Sequence, residues 1–247
     1  MSINTDLCNP SKTYWDQLHW HPSSEQLAQF SKLQVLLKYW NNQVNLTRLI
    51  DGTDYWIAQI FDSLWPLKNE LENPSKALSF VDVGTGCGFP GLAIAIALPN
   101  VKITLIDSLS RKTKILQTIS NELGLSSRTR ICNERVEITA HKPGFREGFD
   151  FALARAVADA PIVAEYLIPL LKKEGEGLIY RGKWNKEKQV ELNTALNTLK
   201  AKIKIIERME LPQKKGERHV IRIVPEQPCS SKYPRSVGIP LKKPLCN

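Results

Sequence analysis

A chain of 247 residues is long enough to bury a full core, as one large domain or as a domain with an extension. Its 42% hydrophobic and 24% charged content fits a soluble globular protein, and no apolar run approaches the roughly 20 residues of a membrane span. The net charge of +9 is uneven: residues 170–247 hold 18 Lys and Arg against 8 Asp and Glu, while residues 1–169 are close to neutral, with 16 against 17. A basic final third is either a solvated face or an electrostatic footprint for a polyanion, RNA or DNA first among them.

The N-terminus lacks a basic-then-apolar block, so no signal peptide is expected. The five cysteines (Cys8, Cys87, Cys132, Cys229, Cys246) are scattered, with no CxxC pair. They read as reduced thiols of an intracellular, cytoplasmic protein, and no metal site is expected.

Residues 1–22 read as polar and irregular. Leu27, Phe30, Leu33, Leu37, Trp40 and Val44 recur at helical spacing, with Ser23 or Ser24 as the cap. A second helix is predicted over about Asp54 to Trp65, stopped by Pro66. An apolar strand, Phe80 to Val83, then runs into Gly84, Gly86, Gly88 and Gly91, and Leu92 to Leu98 is helix-compatible. A strand, a glycine turn and a helix start are the usual entry to a nucleotide-type site. Further strands are predicted over Val101–Ile106, Arg130–Cys132, Phe149–Arg155 and Leu178–Arg181, the last preceded by a turn at Gly175 and Gly177. Helices fall between them, carrying Ile115 to Leu123, Pro161 to Lys172 and Lys186 to Lys200, with a polar loop at residues 141–148. Strands at Ile203–Ile206 and His219–Val224 form a hairpin, and the Pro-rich tail from Pro225 reads as extended and basic. Alternating strands and helices mean an α/β fold with a mostly parallel sheet and an antiparallel terminal hairpin.

Two ligands compete for the glycine turn. Gly86 to Gly91 satisfies GxGxxG, which suits a dinucleotide, and an acid about 20 residues on, Asp107, serves ribose hydroxyls in either case. Asp82, inside the strand end, suits the cationic amino acid group of S-adenosylmethionine and would repel a pyrophosphate. No second half-fold for nicotinamide is evident, and the basic third suits a polyanionic substrate. These features favour a methyl donor. An NAD-type oxidoreductase and an RNA-binding protein with an inactive cofactor fold stay open as alternatives. A pyrimidine C5 acceptor needs a Cys nucleophile, yet the only Pro-Cys pair, Pro228-Cys229, lies in the tail. Exocyclic amines usually meet an Asn/Asp-Pro-Pro-aromatic turn after the fourth strand, where this chain reads Ala154-Arg155-Ala156-Val157. These absences favour a ring nitrogen such as guanine N7. Tyr180, Trp184 and Tyr233 are candidates for stacking on bases.

Asn45-Leu46-Thr47, Asp62-Ser63-Leu64, Asp82 to Gly91, Leu105 to Ser108, Arg111-Lys112, Arg135-Val136-Glu137, Arg155-Ala156-Val157 and Glu217-Arg218-His219 together resemble the landmarks of the bacterial small-subunit ribosomal RNA guanine-N7 methyltransferases, the glucose-inhibited division protein B family. The resemblance implies a Rossmann-like, S-adenosylmethionine-dependent methyltransferase sheet with a helical N-terminal extension. It implies one guanine of 16S ribosomal RNA, near the decoding region, as target, in bare RNA or in an assembly particle, with the enzyme acting as a monomer. By position, Gly84, Gly86 and Phe89 line the cofactor, Asp107, Ser108 and Leu109 meet its ribose and adenine, and Val136 and Glu137 its adenine end. Arg155 lies beside it as the positioning residue. Arg181, Lys183, Arg218 and His219 are the expected RNA contacts. Gln59 stands where His is expected, so no acid–base role belongs there, and Arg181 stands where Lys is more usual. The chain thus divides into an irregular N-terminus (1–22), a helical extension (23–76), a methyltransferase domain (77–224) and a basic tail (225–247).

Overall fold

The computed structural model describes residues 10–246, so Cys8 lies outside the described residues. Seven strands form one sheet: β1 (Ser79–Val83), β2 (Lys102–Asp107), β3 (Thr129–Asn133), β4 (Phe149–Arg155), β5 (Leu171–Arg181), β6 (Ala201–Glu210) and β7 (Glu217–Pro225). Their order is β3-β2-β1-β4-β5-β7-β6; β1 to β5 pair in parallel, and β7 runs antiparallel to both β5 and β6. The chain winds outward from β1 and then jumps to β4 on its other side. Such a switch point leaves a crevice beyond the carboxyl ends of the two strands.

Helix α1 (Lys12–Leu18) stands where the sequence reads as irregular. Ser11 caps it, and its apolar residues Tyr14, Trp15 and Leu18 are too few to show a period; they are buried against other helices, Trp15 stacking on Phe30. Helix α2 (Ser24–Asn41) is capped by Ser23 in a reciprocal capping box with Gln26. The Gln26 amide also donates to the carbonyls of Ile96 and Ala97 (3.0 and 2.9 Å), tying α2 to the end of a helix of the sheet domain. Phe30, Leu33 and Leu37 are fully buried, each contributing about 1.5–3 kcal/mol.

The second predicted helix is wound unevenly. Asp54–Phe61 is a π-helix, followed by α3 (Asp62–Leu64), a 3-10 turn (Trp65–Leu67) and α4 (Lys68–Glu72). Every residue from Tyr55 to Leu67 is buried. After β1 come α5 (Gly91–Ala97), apolar all round and enclosed, then α6 (Ser110–Glu122), the single turn α7 (Val136–Thr139), α8 (Ala160–Leu167) and α9 (Lys186–Leu199). Helices α1, α2, α5 and α6 and the π-helix share one apolar cluster on one face; α8 and α9 belong to a second on the other. No helix of the described residues is long and apolar enough to cross a membrane.

Two further expectations need correction. Gly175 and Gly177 do not bracket a turn: β5 starts at Leu171 and runs through both. A Cβ at Gly175 would sit 2.7 Å from the Phe149 carbonyl, so glycine there lets β5 lie against β4 where their register shifts. Nor is the tail loose. Cys229 and Tyr233 are buried, and a short helix, α10 (Ile239–Lys242), ends it. The 141–148 loop is what holds it: the Arg146 guanidinium donates to the carbonyls of Cys229 (2.7 Å), Ser230 (3.1 Å) and Tyr233 (2.9 Å).

Candidate functional site

The glycine turn is built by two carboxylates. Gly84 and Thr85 donate their N–H groups to the Ile106 carbonyl (2.8 and 3.1 Å), linking the ends of β1 and β2. Asp107, at the end of β2, accepts from the N–H of Gly86 on one oxygen (3.0 Å) and of Leu109 on the other (2.8 Å). Asp82 Oδ2 accepts from the Thr85 hydroxyl (2.7 Å) and the Gly91 N–H (2.9 Å), clamping the turn to the start of α5. Gly84 holds φ +68°, and a Cβ there would meet Val157 Cγ2 at 2.7 Å; this position requires glycine.

Asp82 is therefore not the ligand's acid that the sequence suggests. It is fully buried, its second oxygen has no partner, and it lines neither cavity described below. Burial pushes its carboxyl up to about 6, against the pull of Thr85, Gly91 and Arg155. A pKa above its unfolded value favours the protonated fold, so this contribution is complete below about pH 4 and is lost as pH rises through about 6. Asp82→Asn keeps an acceptor and removes the charge. Between pH 4 and 7 the wild type should lose about 3 kcal/mol relative to the variant, read by denaturant melts at each pH. Parallel pH profiles would contradict the buried charge.

Two cavities open beyond the strand ends and meet at Gly84 and Asp107, which line both. The smaller, about 320 Å3, is lined by Gly84 and by Asp107, Ser108, Leu109, Val136 and Glu137, the five residues predicted for the ribose and adenine. The Glu137 carboxylate is buried, and its Oε1 accepts from the Tyr166 hydroxyl (3.4 Å). The larger, about 560 Å3, takes in Gly84, Gly86, Phe89, Arg155, Arg181 and Arg218. Its charged lining is Lys112, Arg155, Arg181 and Arg218 against Asp62 and Asp107, an excess of positive charge.

Sequence reasoning gave Asp62 no role, although it stands in a quoted landmark. Arg155 Nη1 donates to Asp62 Oδ2 (3.3 Å) and to the Ala58 carbonyl (3.0 Å), and Arg218 Nε reaches the same Oδ2 (3.4 Å). Gln59 is a neutral strut: its Oε1 accepts from Arg155 and its Nε2 donates to Thr47 Oγ1 (3.1 Å). The π-helix and the start of α3 that continues it thus bring the Ala58 carbonyl and the Gln59 and Asp62 side chains to one arginine, and π-helical turns are frequent at functional sites. The Arg155 guanidinium also lies 5.7 Å from the Phe89 ring centre.

Of the expected RNA contacts, Arg181 and Arg218 line the larger cavity and Lys183 is exposed outside it. His219 is buried, with its Nδ1 donating to the Gly182 carbonyl (2.7 Å); it shapes that loop and offers no face to a ligand. Tyr180 and Tyr233 are also buried: Tyr180 donates to the Ser63 carbonyl (2.9 Å) and lines the larger cavity, while Tyr233 packs in the second apolar cluster.

Comparison with known proteins converges on one family. The profile of rRNA small subunit methyltransferase G matches residues 26–221. Ribosomal RNA small subunit methyltransferase G of Prochlorococcus marinus is 55% identical over 233 residues, covering 94% of this chain and 92% of its own. The protein of that name from a Synechococcus strain is 52% identical over 245 residues, covering 99% and 96%. Among solved structures, an O-methyltransferase from Bacillus cereus in complex with SAH superposes with a TM-score of 0.54 at 15% identity, over 78% of this chain and 90% of that one, which is a likeness of fold. With its landmarks gathered around two joined cavities at the β1/β4 switch point, this chain belongs to the rRNA small subunit methyltransferase G family.

Proposed function

We propose that the protein transfers a methyl group from S-adenosylmethionine to N7 of a guanine in 16S ribosomal RNA. The observation that carries this reading is the junction at Gly84 and Asp107, where a nucleoside-sized cavity meets a larger, cation-rimmed one. The residues present suit the cofactor: Gly84 leaves bare backbone where a Cβ would intrude, and Asp107 offers carboxylate oxygens at the end of β2 beside the exposed Leu109. Ser108, Val136 and Glu137 would hold the nucleoside side, and Gly86 and Phe89 the amino acid side. When bound, the cofactor supplies an electrophilic methyl on a sulfonium, so the protein's task is chiefly to position the acceptor.

Guanine N7 carries a free lone pair and needs no base. The larger cavity matches that demand, since Gln59 is neutral and Asp62 is engaged by two arginines. Its one thiol, Cys87, is pushed up by burial, which holds it protonated and a poor nucleophile. Cys229 is no alternative: it is a buried residue of the tail that lines neither cavity, its thiol pushed up by burial to about 11.

Incubation with labelled S-adenosylmethionine and small-subunit RNA, bare and in particles, should label one guanine and render the chain cleavable there after borohydride and aniline treatment, as N7 methylation does. No label in either substrate, or label without cleavage, overturns the reading. Replacing Lys183 and Arg218 by alanine should each lower the salt slope of RNA binding by about 1. An unchanged slope would put the RNA on another face.

A further inference from the structure

The C-terminal strap lies beyond the residues that the family profile matches, yet it reaches the smaller cavity. We infer that residues 229–243 form an outer wall of that cavity, and that Leu241 in particular is a contact for the nucleoside half of the cofactor. The inference rests on the reading of that cavity as the nucleoside side.

The strap is fastened along its length. Beyond the Arg146 clasp, the Pro234 carbonyl lies 2.8 Å from His141 Nε2. Arg235 then grips Glu165 with two guanidinium bonds, Nε to Oε1 (2.9 Å) and Nη2 to Oε2 (2.7 Å), and a third from its backbone N–H (2.8 Å). Glu165 is fully buried in α8, and a charge there is tolerable only while paired, so this pair is the firmest anchor. Arg235 Nη2 donates back to the Lys243 carbonyl (2.6 Å), closing the segment on itself.

Between those two points the strap touches the site. Gly238, at φ +79°, donates its N–H to Glu137 Oε1 (3.1 Å), the oxygen that also accepts from Tyr166. Gly238 thereby fixes a carboxylate predicted for the adenine end. The single turn after it brings Leu241 to the cavity lining, alongside Val136 and Tyr166. Leu241 is 52% exposed, an apolar side chain held at the mouth of a cavity with half its surface bare. An apolar group in that place gains by being covered, and the flat face of a purine is a surface that would cover it. Lys242, next in the chain, is exposed and lines neither cavity.

Calorimetry on the full chain with S-adenosylhomocysteine tests this. The wild type should bind, Leu241→Ala should weaken Kd about tenfold, and Lys242→Ala should match the wild type. Arg235→Leu, which unfastens the strap, should weaken binding by at least as much as Leu241→Ala; its melting curve, taken alongside, checks that the sheet stays folded. A Leu241→Ala protein that binds as the wild type does overturns the inference, as does an equal loss in Lys242→Ala. A wild type that fails to bind overturns instead the reading of the cavity on which the inference stands.

Discussion

Gly84→Asp is expected to raise the Kd for S-adenosylhomocysteine at least 100-fold and to abolish methyl transfer, while the sheet remains folded. Position 84 is the one residue besides Asp107 that lines both cavities, and it is exposed, so a side chain there stands where the two spaces join. Three costs add. The φ of +68° is left-handed, at about 1–2 kcal/mol for a residue with a Cβ. The Cβ meets Val157 Cγ2 at 2.7 Å, on the loop that follows β4. The new carboxylate adds a like charge near Asp107, whose oxygens already hold the turn. The first two fall on folding and should lower Tm by several degrees, since 1 kcal/mol is worth about 2–4 °C at this size. The third falls on the ligand. Gly84→Ala carries the strain without the charge and should lie between. Calorimetry with a melt on each variant reads both effects. A Gly84→Asp protein that binds S-adenosylhomocysteine and transfers methyl groups normally would remove the junction of the two cavities from the cofactor site; one that keeps RNA binding and loses transfer fits the enzyme.

What the sequence discloses, and what it hides, follows from how local each determinant is. The strand–glycine–helix unit is legible because each residue acts on its neighbours: Gly84 for its φ, Asp107 for the backbone two residues on. Asp82 is misread on function, although strand alternation contains the answer. It shares a face with Phe80, which packs in the first cluster, while Val81 and Val83 face the second. A carboxylate on that side points under α5, not into the crevice. Helix α1, the strap and the full length of β5 escape because their partners are remote. Arg146 and the carbonyl of Tyr233 are 87 residues apart, and no local pattern links them. Glu165 is the exception in hindsight: an acid within the apolar run of α8 demands a cation, and Arg235 in a tail rich in proline is that cation. The Arg155 constellation is half legible. Asp62, Arg155 and Arg218 sit in landmark motifs, but Ala58 and Gln59 do not, and it is the π-helical winding of Asp54–Phe61 that brings the Ala58 carbonyl, Gln59 and Asp62 to the same guanidinium.

Arg155→Ala should lower kcat by about 100-fold or more while costing the fold about 2–4 kcal/mol. The guanidinium is a fork with three acceptors from the π-helix and its continuation, and it stands over Phe89 at the edge of the glycine turn. It therefore fixes one wall of the larger cavity relative to the other. Alanine leaves Gln59 Oε1 without its donor and Asp62 with Arg218 alone, at 3.4 Å, and Asp62 Oδ1 is already without a partner. Removing one member of a buried pair costs about 3–5 kcal/mol, reduced here because the second arginine stays. The same loosening frees Phe89 and the 58–62 segment, where a misplacement of an ångström is enough to cost two orders of magnitude in rate. Stability and positioning can be separated. Asp62→Asn in the Arg155→Ala background removes the stranded charge, so it should restore most of the lost stability and none of the transfer. Arg155→Lys keeps the charge but cannot serve the amide, the carbonyl and the carboxylate together, so its kcat should fall between. Single-turnover rates at saturating cofactor and RNA, set beside denaturant melts, read both quantities. If transfer recovers in step with stability in the double variant, Arg155 is a structural strut alone; if Arg155→Ala melts early with undiminished specific activity, it does not position the acceptor.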